Sequence, residues 1–394
     1  MNKKRIAVTY VEAGMGHITS AKAVSDALKK YYGDKADIID VDFFKCTGDQ
    51  SMISMEKSLI THVKMAGRVK TWGNFLFQMM SMSADTQKQL RAFYMSTAPG
   101  VRKKSMELIS DLRVDAIVNT HFLPAHFAEE LRAENPGAKL KTVIYNPDNN
   151  VHGWWDNRTD MFIANNRYAV EEAVKLRNYD RDKVFEVGFL ARNCVLETNG
   201  TKADYRKKYG IKPDNFTVVL ADGAYASAYM KSFTLELIKT KIPLSVIAVA
   251  GKNESVQKYF EKMAENGKIP PNIDFHLFGF TNDICELYRA ADVFVTKAGP
   301  NAILDSVFMH TPIIVNYWAT PVEEFTKKLF VEYFGCGEII QDKADCKKRI
   351  EQFAANPNLL ERYAANTMSF DKNKNGGKQI ADLIFNSLSG GCEK

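Results

Sequence analysis

Short apolar runs, each followed by a stretch with helical periodicity, occur twice over in this chain, and that alternation restricts the fold more than any other feature. The first set lies at residues 6–11, 38–41, 116–120, 141–145, 161–164 and 184–187. The second lies at residues 217–220, 244–250, 273–278, 293–296 and 312–316. Strand-length apolar runs alternating with helical patterns build parallel sheets from β-α units, because a helix must carry the chain back before the next strand can run parallel. A polar stretch at 197–209 separates the sets, and Lys212-Pro213-Asp214 reads as a turn into the second. With 394 residues the chain exceeds one ordinary domain and suits two. The reading is an α/β protein with two Rossmann-like domains, at 1–196 and 197–375, and a C-terminal helix in 376–394.

Two strand-to-helix turns carry candidate chemistry. In the second half, Thr296-Lys297-Ala298-Gly299-Pro300-Asn301-Ala302-Ile303-Leu304-Asp305 takes a strand through a small-residue turn into a helix. A helix N-terminus aims unpaired N–H groups and partial positive charge at an anion. Gly299 admits close approach of a diphosphate, and Asp305, a turn further on, is placed to accept hydrogen bonds from a ribose. In the first half, strand 6–11 leads through Glu12-Ala13-Gly14-Met15-Gly16-His17 into an amphipathic helix from about Thr19. A dinucleotide fingerprint wants a third glycine where Thr19 stands, although Asp40 and Asp42 mimic its acid. His17, at the start of that helix, is either a cap residue or a general base.

Taken together these elements resemble the lipid-directed branch of the GT-B glycosyltransferases, the monogalactosyldiacylglycerol synthase and processive diacylglycerol glucosyltransferase family. That family is related to the peptidoglycan N-acetylglucosaminyltransferase. The resemblance rests on Gly14-Met15-Gly16-His17, on Asp148, His152 and Trp155 in mid-chain, on Gly188 and Arg192, and on Thr296, Lys297, Gly299 and Asp305. It implies a GT-B fold, two Rossmann-like domains facing across a cleft, with the C-terminal helix crossing back to the first domain. It also implies His17 as general base, Asp148 as a second candidate, and a UDP-sugar held by Gly16, Arg192, Gly223, Phe280, Lys297, Gly299, Pro300, Asn301, Ala302, Asp305, Glu323 and Glu324. The chain departs from the family pattern in carrying Asp305 for a glutamate, Glu323 for a glutamine, Asn146-Pro147-Asp148 for a Thr-Asp element, and Tyr225 beside Gly223-Ala224. In the family these positions contact the transferred hexose, so the sugar is left open between glucose and galactose.

Charge adds a partner. From Lys57 to Lys104 the chain has nine Lys/Arg residues and one acid, Asp85, within a formal net charge of +6. Lys64, Arg68 and Lys70 are interleaved with Trp72 and Phe75. Such a segment is either a pair of core-packed helices with a solvated basic side or an interfacial contact with an anionic membrane. The interleaved aromatics favour the contact, with His152 and Trp155 beside the acceptor. No recognised nucleic-acid motif accompanies the basic residues. A hydrophobic content of 45% without a bilayer-length apolar run, and a start lacking a signal-peptide pattern, place the expectation in the cytoplasm, peripheral on the inner membrane face. The six cysteines show no Cys-x-x-Cys pair and read as reduced thiols, neither a metal site nor a disulfide framework.

The resulting expectation is an inverting hexosyltransferase carrying a hexose from a UDP-sugar to diacylglycerol or a glycolipid acceptor, with no cofactor and no required metal. A UDP-sugar epimerase of the same fold, and a degenerate UDP-sugar sensor, are the alternatives.

Overall fold

The computed structural model describes residues 3–12, 15–50, 52–54, 56–57, 99–224 and 226–388. The chain divides into two compact units. Unit 1 comprises Met1–Arg192, Ala319–Val322 and Asn375–Lys394; unit 2 comprises Asn193–Trp318 and Glu323–Lys374.

Unit 1 contains strands β1 (Lys4–Tyr10), β2 (Ala36–Asp42), β3 (Ala116–Asn119), β4 (Lys141–Tyr145), β5 (Met161–Ala164) and β6 (Val184–Glu186). They form one sheet in the order β2-β1-β3-β4-β5-β6, and all its pairings are parallel. A parallel sheet is covered on both faces, and successive residues here feed different cores. Ala7, Ile117 and Ile144 join a cluster containing Phe43, Phe127, Trp155 and Phe162, whereas Ile6, Val8, Val118 and Val143 join a cluster with Val24 and Leu28. The C-terminal helix Gly377–Ser387 adds Ile380, Ala381 and Ile384 to the second cluster, a spacing that lines one helical face. It packs on helix Met15–Tyr32, where Tyr32 stacks on Phe385 at 4.1 Å and donates to Asp382 at 2.9 Å.

Unit 2 contains β7 (Phe216–Ala221), β8 (Leu244–Gly251), β9 (Ile273–Gly279), β10 (Val293–Lys297), β11 (Ile313–Tyr317) and β12 (Gly337–Ile339). Their order is β12-β11-β10-β7-β8-β9, again parallel throughout. Read from β9, this is the 3-2-1-4-5-6 order of dinucleotide-binding sheets. Caps fix the helix starts. Ser227 accepts from the N–H groups of Tyr229 and Met230, and Thr201 forms a capping box with Asp204.

Chain order reverses direction between β1 and β3 in unit 1, and between β7 and β10 in unit 2. At such a switch point the two following connections leave in opposite directions, opening a crevice at the carboxyl ends of the strands.

Candidate active site

At the switch point of unit 1, side chains bind the strand ends together. Thr9 on β1 donates to the Asn119 side chain at 2.8 Å, and Asn119 in turn donates to the Val143 carbonyl on β4 at 3.1 Å. Thr120, just past β3, donates from its hydroxyl to the Thr9 carbonyl at 3.0 Å. Its own carbonyl meets Nδ1 of His17 at 2.6 Å. A carbonyl oxygen only accepts, so Nδ1 carries a proton, and the neutral form of such a ring has its lone pair on Nε2. That is the tautomer a general base requires.

Helix Met15–Tyr32 begins four residues before the expected start near Thr19, so Gly16 and His17 lie within its first turn. Gly14 lies outside the described residues.

Three further groups reach the same strand ends. His121 caps helix Phe122–Glu134 by accepting from the Leu123 N–H at 3.3 Å, and its ring meets that of His17 edge-on at 4.7 Å. Burial, then the neighbouring His17, His152 and His126, push its pKa well below the usual histidine value. Asp148 follows β4 in a loop shaped by Asn146, whose amide donates to the carbonyls of Asp148 and Asn150 at 3.1 and 3.0 Å. Burial raises the Asp148 carboxyl, and His17 acts in the opposite sense. His152 approaches it at 3.8 Å from Nε2 to Oδ2. Burial, with His17, Arg177 and His126 adding, lowers His152 to about 3, so this is a contact between a carboxyl and a neutral imidazole. Structure thus brings together His17, His121 and the Asp148–His152 pair from three separate stretches of the chain.

Trp155 does not belong at an acceptor or membrane surface. It is fully buried, stacks on His152 at 5.4 Å and packs edge-on against Phe162. The Trp154-Trp155 loop runs into the core, and a large aromatic gains more from burial there than at an exposed site. His126 is also structural, meeting Asp156 at 2.9 Å. Burial opposes ionisation of Asp156, yet His126 and Arg158 hold it well below the usual carboxylate range. Lys64, Arg68, Lys70, Trp72 and Phe75 lie outside the described residues. Among the described residues, no helix is long and apolar enough to cross a membrane.

Unit 2 presents a different chemistry at its switch point. Gly223, two residues past β7, has φ +76°, and a Cβ added there meets nothing within 4 Å. A side chain at that position is strained by the left-handed backbone, although the space itself is open. Gly299, past the neighbouring β10, is the N-cap of helix Pro300–Phe308, with Pro300 at its first position. A Cβ there meets only the Lys297 Cε at 3.9 Å. Two bare stretches of backbone therefore end adjacent strands, and the helix through Asn301 and Ala302 starts with a glycine that offers no capping side chain. Lys297 pairs with Glu323 at 2.9 Å; that charge, against the cost of burial, keeps its ammonium pKa raised. Phe280 follows β9 half exposed, with the Lys252 ammonium 4.9 Å from its ring centre.

Other expected residues fall differently. Asp305 is 2% exposed, and its carboxylate lies within 4.8 Å of the thiols of Cys194 and Cys285. Glu324 is exposed and faces Lys328 at 3.8 Å. Arg192 is half-buried at the end of the first segment of unit 1. Tyr225 lies outside the described residues.

Sequence reasoning missed Asp222. It is buried at the end of β7 and accepts from the Lys297 N–H at 3.1 Å and the Met230 N–H at 3.2 Å, and also from the Ser227 hydroxyl. An acid immediately before Gly223 has no motif to mark it. The Tyr229–Tyr317 stack, at 4.2 Å, was also invisible, since its partners are distant in the chain.

Comparison with known proteins agrees with this architecture. Residues 17–190 match the family model described as monogalactosyldiacylglycerol (MGDG) synthase, and residues 225–370 match glycosyl transferases group 1. Monogalactosyldiacylglycerol synthase 2, chloroplastic, of Arabidopsis thaliana is 23% identical over 92% of this chain and 76% of that protein. The processive diacylglycerol beta-glucosyltransferase of Bacillus licheniformis is 20% identical over 98% of this chain and 95% of its own length. Among solved structures, Acinetobacter baumannii MurG superposes with a TM-score of 0.60 at 12% identity, covering 98% of this chain and 99% of that one. Anabaena Alr3699/HepE in complex with UDP does so at 0.55 and 13%, covering 99% and 100%. The chain has the GT-B fold and is similar to glycosyltransferases, matched in its first half by the monogalactosyldiacylglycerol synthase model and in its second by the group 1 glycosyl transferase model.

Proposed function

We propose that this protein transfers a hexose from a UDP-sugar to the hydroxyl of diacylglycerol or a related glycolipid, inverting the anomeric configuration. The observation that carries the reading is the bond from His17 Nδ1 to the Thr120 carbonyl, which leaves Nε2 as the acceptor of the lipid hydroxyl proton. The deprotonated hydroxyl attacks the anomeric carbon from the face opposite UDP; one carbon–oxygen bond forms as the bond to the diphosphate breaks. Asp148 steadies the charge that develops on His17, or serves as the base itself.

The diphosphate is assigned to the backbone at Gly223 and Gly299 through Ala302, with Lys297 countering the charge of departing UDP. No metal is required by this scheme, because a lysine and a helix N-terminus supply the positive potential. Phe280 is assigned to the uracil and Glu323 to the hexose hydroxyls. The relatives named for diacylglycerol and the basic run at 57–104 support a lipid acceptor at an anionic membrane surface.

The test is direct. The protein is incubated with UDP-glucose or UDP-galactose and vesicles containing diacylglycerol, and both glycolipid and free UDP are measured. The reading requires equal amounts of the two products. Nucleotide binding without glycolipid would favour a UDP-sugar sensor, and interconversion of the two UDP-hexoses would favour an epimerase.

A further inference from the structure

Three donor atoms that sequence leaves far apart converge in unit 2. Cys194 lies on the short helix Asn193–Glu197, Cys285 on helix Ile284–Ala290, and Asp305 on helix Pro300–Phe308. The thiol of Cys285 donates to the Cys194 sulfur at 3.0 Å, and one carboxylate oxygen of Asp305 completes a set within 4.8 Å of one another. Cys285 is fully buried and Asp305 is 2% exposed, while Cys194 is half-buried. The scattered cysteines therefore include one close pair, 91 residues apart, which no Cys-x-x-Cys spacing announces.

We propose that Cys194, Cys285 and Asp305 form a binding site for a thiolate-preferring divalent cation of the zinc class, joining the helix after Arg192 to the helix that starts at Gly299.

Two thiols and a carboxylate are the donor set such an ion selects, and hard cations such as magnesium disfavour it. A tetrahedral zinc with bonds of about 2.3 Å to sulfur holds two sulfurs about 3.8 Å apart. The pair thus needs to open by under about an ångström. Binding displaces two thiol protons to solvent, so the site carries two thiolates and a carboxylate against a dication, a net charge of minus one. Lys372 meets that charge. Its ammonium interacts electrostatically with Cys285 and donates to the carbonyls of Val195 and Thr198, at 3.3 and 2.6 Å, at the end of the Cys194 helix. Asp305 separates this reading from a simple thiol switch. A carboxylate oxygen beside two sulfurs adds a third metal ligand, for which a two-cysteine disulfide exchange has no use. A tetrahedral ion would take its fourth ligand from water.

The role differs from that of a catalytic metal. The ion would cross-link three helices, one of which carries the Gly299 turn, and so would stiffen the proposed diphosphate cradle without touching the reaction.

The experiment uses the full chain, reduced and stripped with a chelator, then titrated with cobalt(II) or cadmium(II) alone. The expected result is one ion per chain with a thiolate-to-metal charge-transfer band. That band is lost in Cys194→Ser, and affinity falls at least about tenfold in Asp305→Asn. Cys194 is half-buried, so its variant tests the site even where Cys285→Ser fails to fold. Absence of stoichiometric binding, an unchanged band in Cys194→Ser, equal affinity in Asp305→Asn, or recovery of a Cys194–Cys285 disulfide in place of the ion would each overturn the proposal.

Discussion

Asp222 accepts a hydrogen bond from the backbone N–H of Lys297 at 3.1 Å, so the ends of β7 and β10 are tied together at the switch point of unit 2. The same carboxylate receives the Met230 N–H at the start of the following helix. Burial raises its pKa, and the hydrogen bonds from Ser227 and Lys297, with the Lys297 charge, act against that rise. This one side chain holds the turns of both bare glycines in register.

Asp222→Ala leaves the Lys297 N–H without its acceptor, at a cost of about 1–3 kcal/mol where that group stays buried and unsatisfied, while the Met230 N–H keeps the Ser227 hydroxyl oxygen. The melting temperature should fall, and UDP affinity should fall with it as the Gly223 and Gly299 turns lose register. Thermal unfolding and calorimetric titration with UDP measure the two effects. A lower melting temperature with unchanged UDP affinity would make Asp222 purely structural.

Gly299→Val should abolish UDP binding and leave the fold intact. Its φ of −71° and ψ of 122° are accessible to any residue, and the added Cβ meets only a flexible lysine carbon. Gly223→Val behaves differently, because φ +76° penalises a side chain by about 1–3 kcal/mol before any ligand is present. The pair separates steric exclusion of a ligand from backbone strain. Circular dichroism melts and UDP titrations of both variants decide it, and normal UDP affinity in Gly299→Val would move the nucleotide elsewhere.

Much of this fold is legible in the chain because parallel strands buried on both faces are continuous apolar runs. Residues 244–250 and 293–296, for example, need no tertiary context. The edge strand Gly337–Ile339 is not legible, since Gly-Glu-Ile has neither length nor an apolar run. His17 and the Gly299 turn can be found because glycine and a strand-to-helix junction mark them. Asp222, the His17–His121 contact and the Cys194–Cys285 pair cannot, because each depends on which strands and helices become neighbours. Trp155 misleads for a related reason: a tryptophan pair in a loop looks the same in sequence whether it faces a ligand or the core.

His152 supplies a pH signature. Its folded value is about 3, against about 6.5 for an unperturbed histidine. The unfolded chain therefore binds the extra proton between those limits, and stability is complete above pH 6.5 and lost progressively as pH falls toward 3. His152→Gln should flatten the melting temperature across that window, leaving only the contributions of other groups. Melts at half-unit intervals from pH 4 to 8 test it, and parallel curves for the two proteins would show that His152 is not the titrating group.

Replacing Lys64, Arg68 and Lys70 with glutamate should weaken binding to anionic vesicles by several kcal/mol, at about 1 kcal/mol for each surface cation and more for charge reversal. Sedimentation with vesicles of increasing phosphatidylserine content reports the loss. Salt should mimic it in the parent protein, since surface attraction falls off within a Debye length. Equal binding by parent and variant would assign the basic segment to solvated helix faces.

His17→Ala is the sharpest test of the reaction. The Thr120 carbonyl, 2.6 Å away, fixes the proton on Nδ1, so His17 offers Nε2 without a tautomeric rearrangement. Removing a general base costs about 10²–10⁴-fold in rate. The same loss should leave UDP affinity nearly unchanged, because the proposed nucleotide contacts come from unit 2. Glycolipid synthesis under saturating donor, measured beside UDP titration, separates the two quantities. Asp148→Asn completes the assignment. If His17 is the base, Asp148→Asn should reduce turnover less than His17→Ala, by the charge stabilisation it provides. Full activity in His17→Ala together with loss in Asp148→Asn would transfer the role of base to the carboxylate.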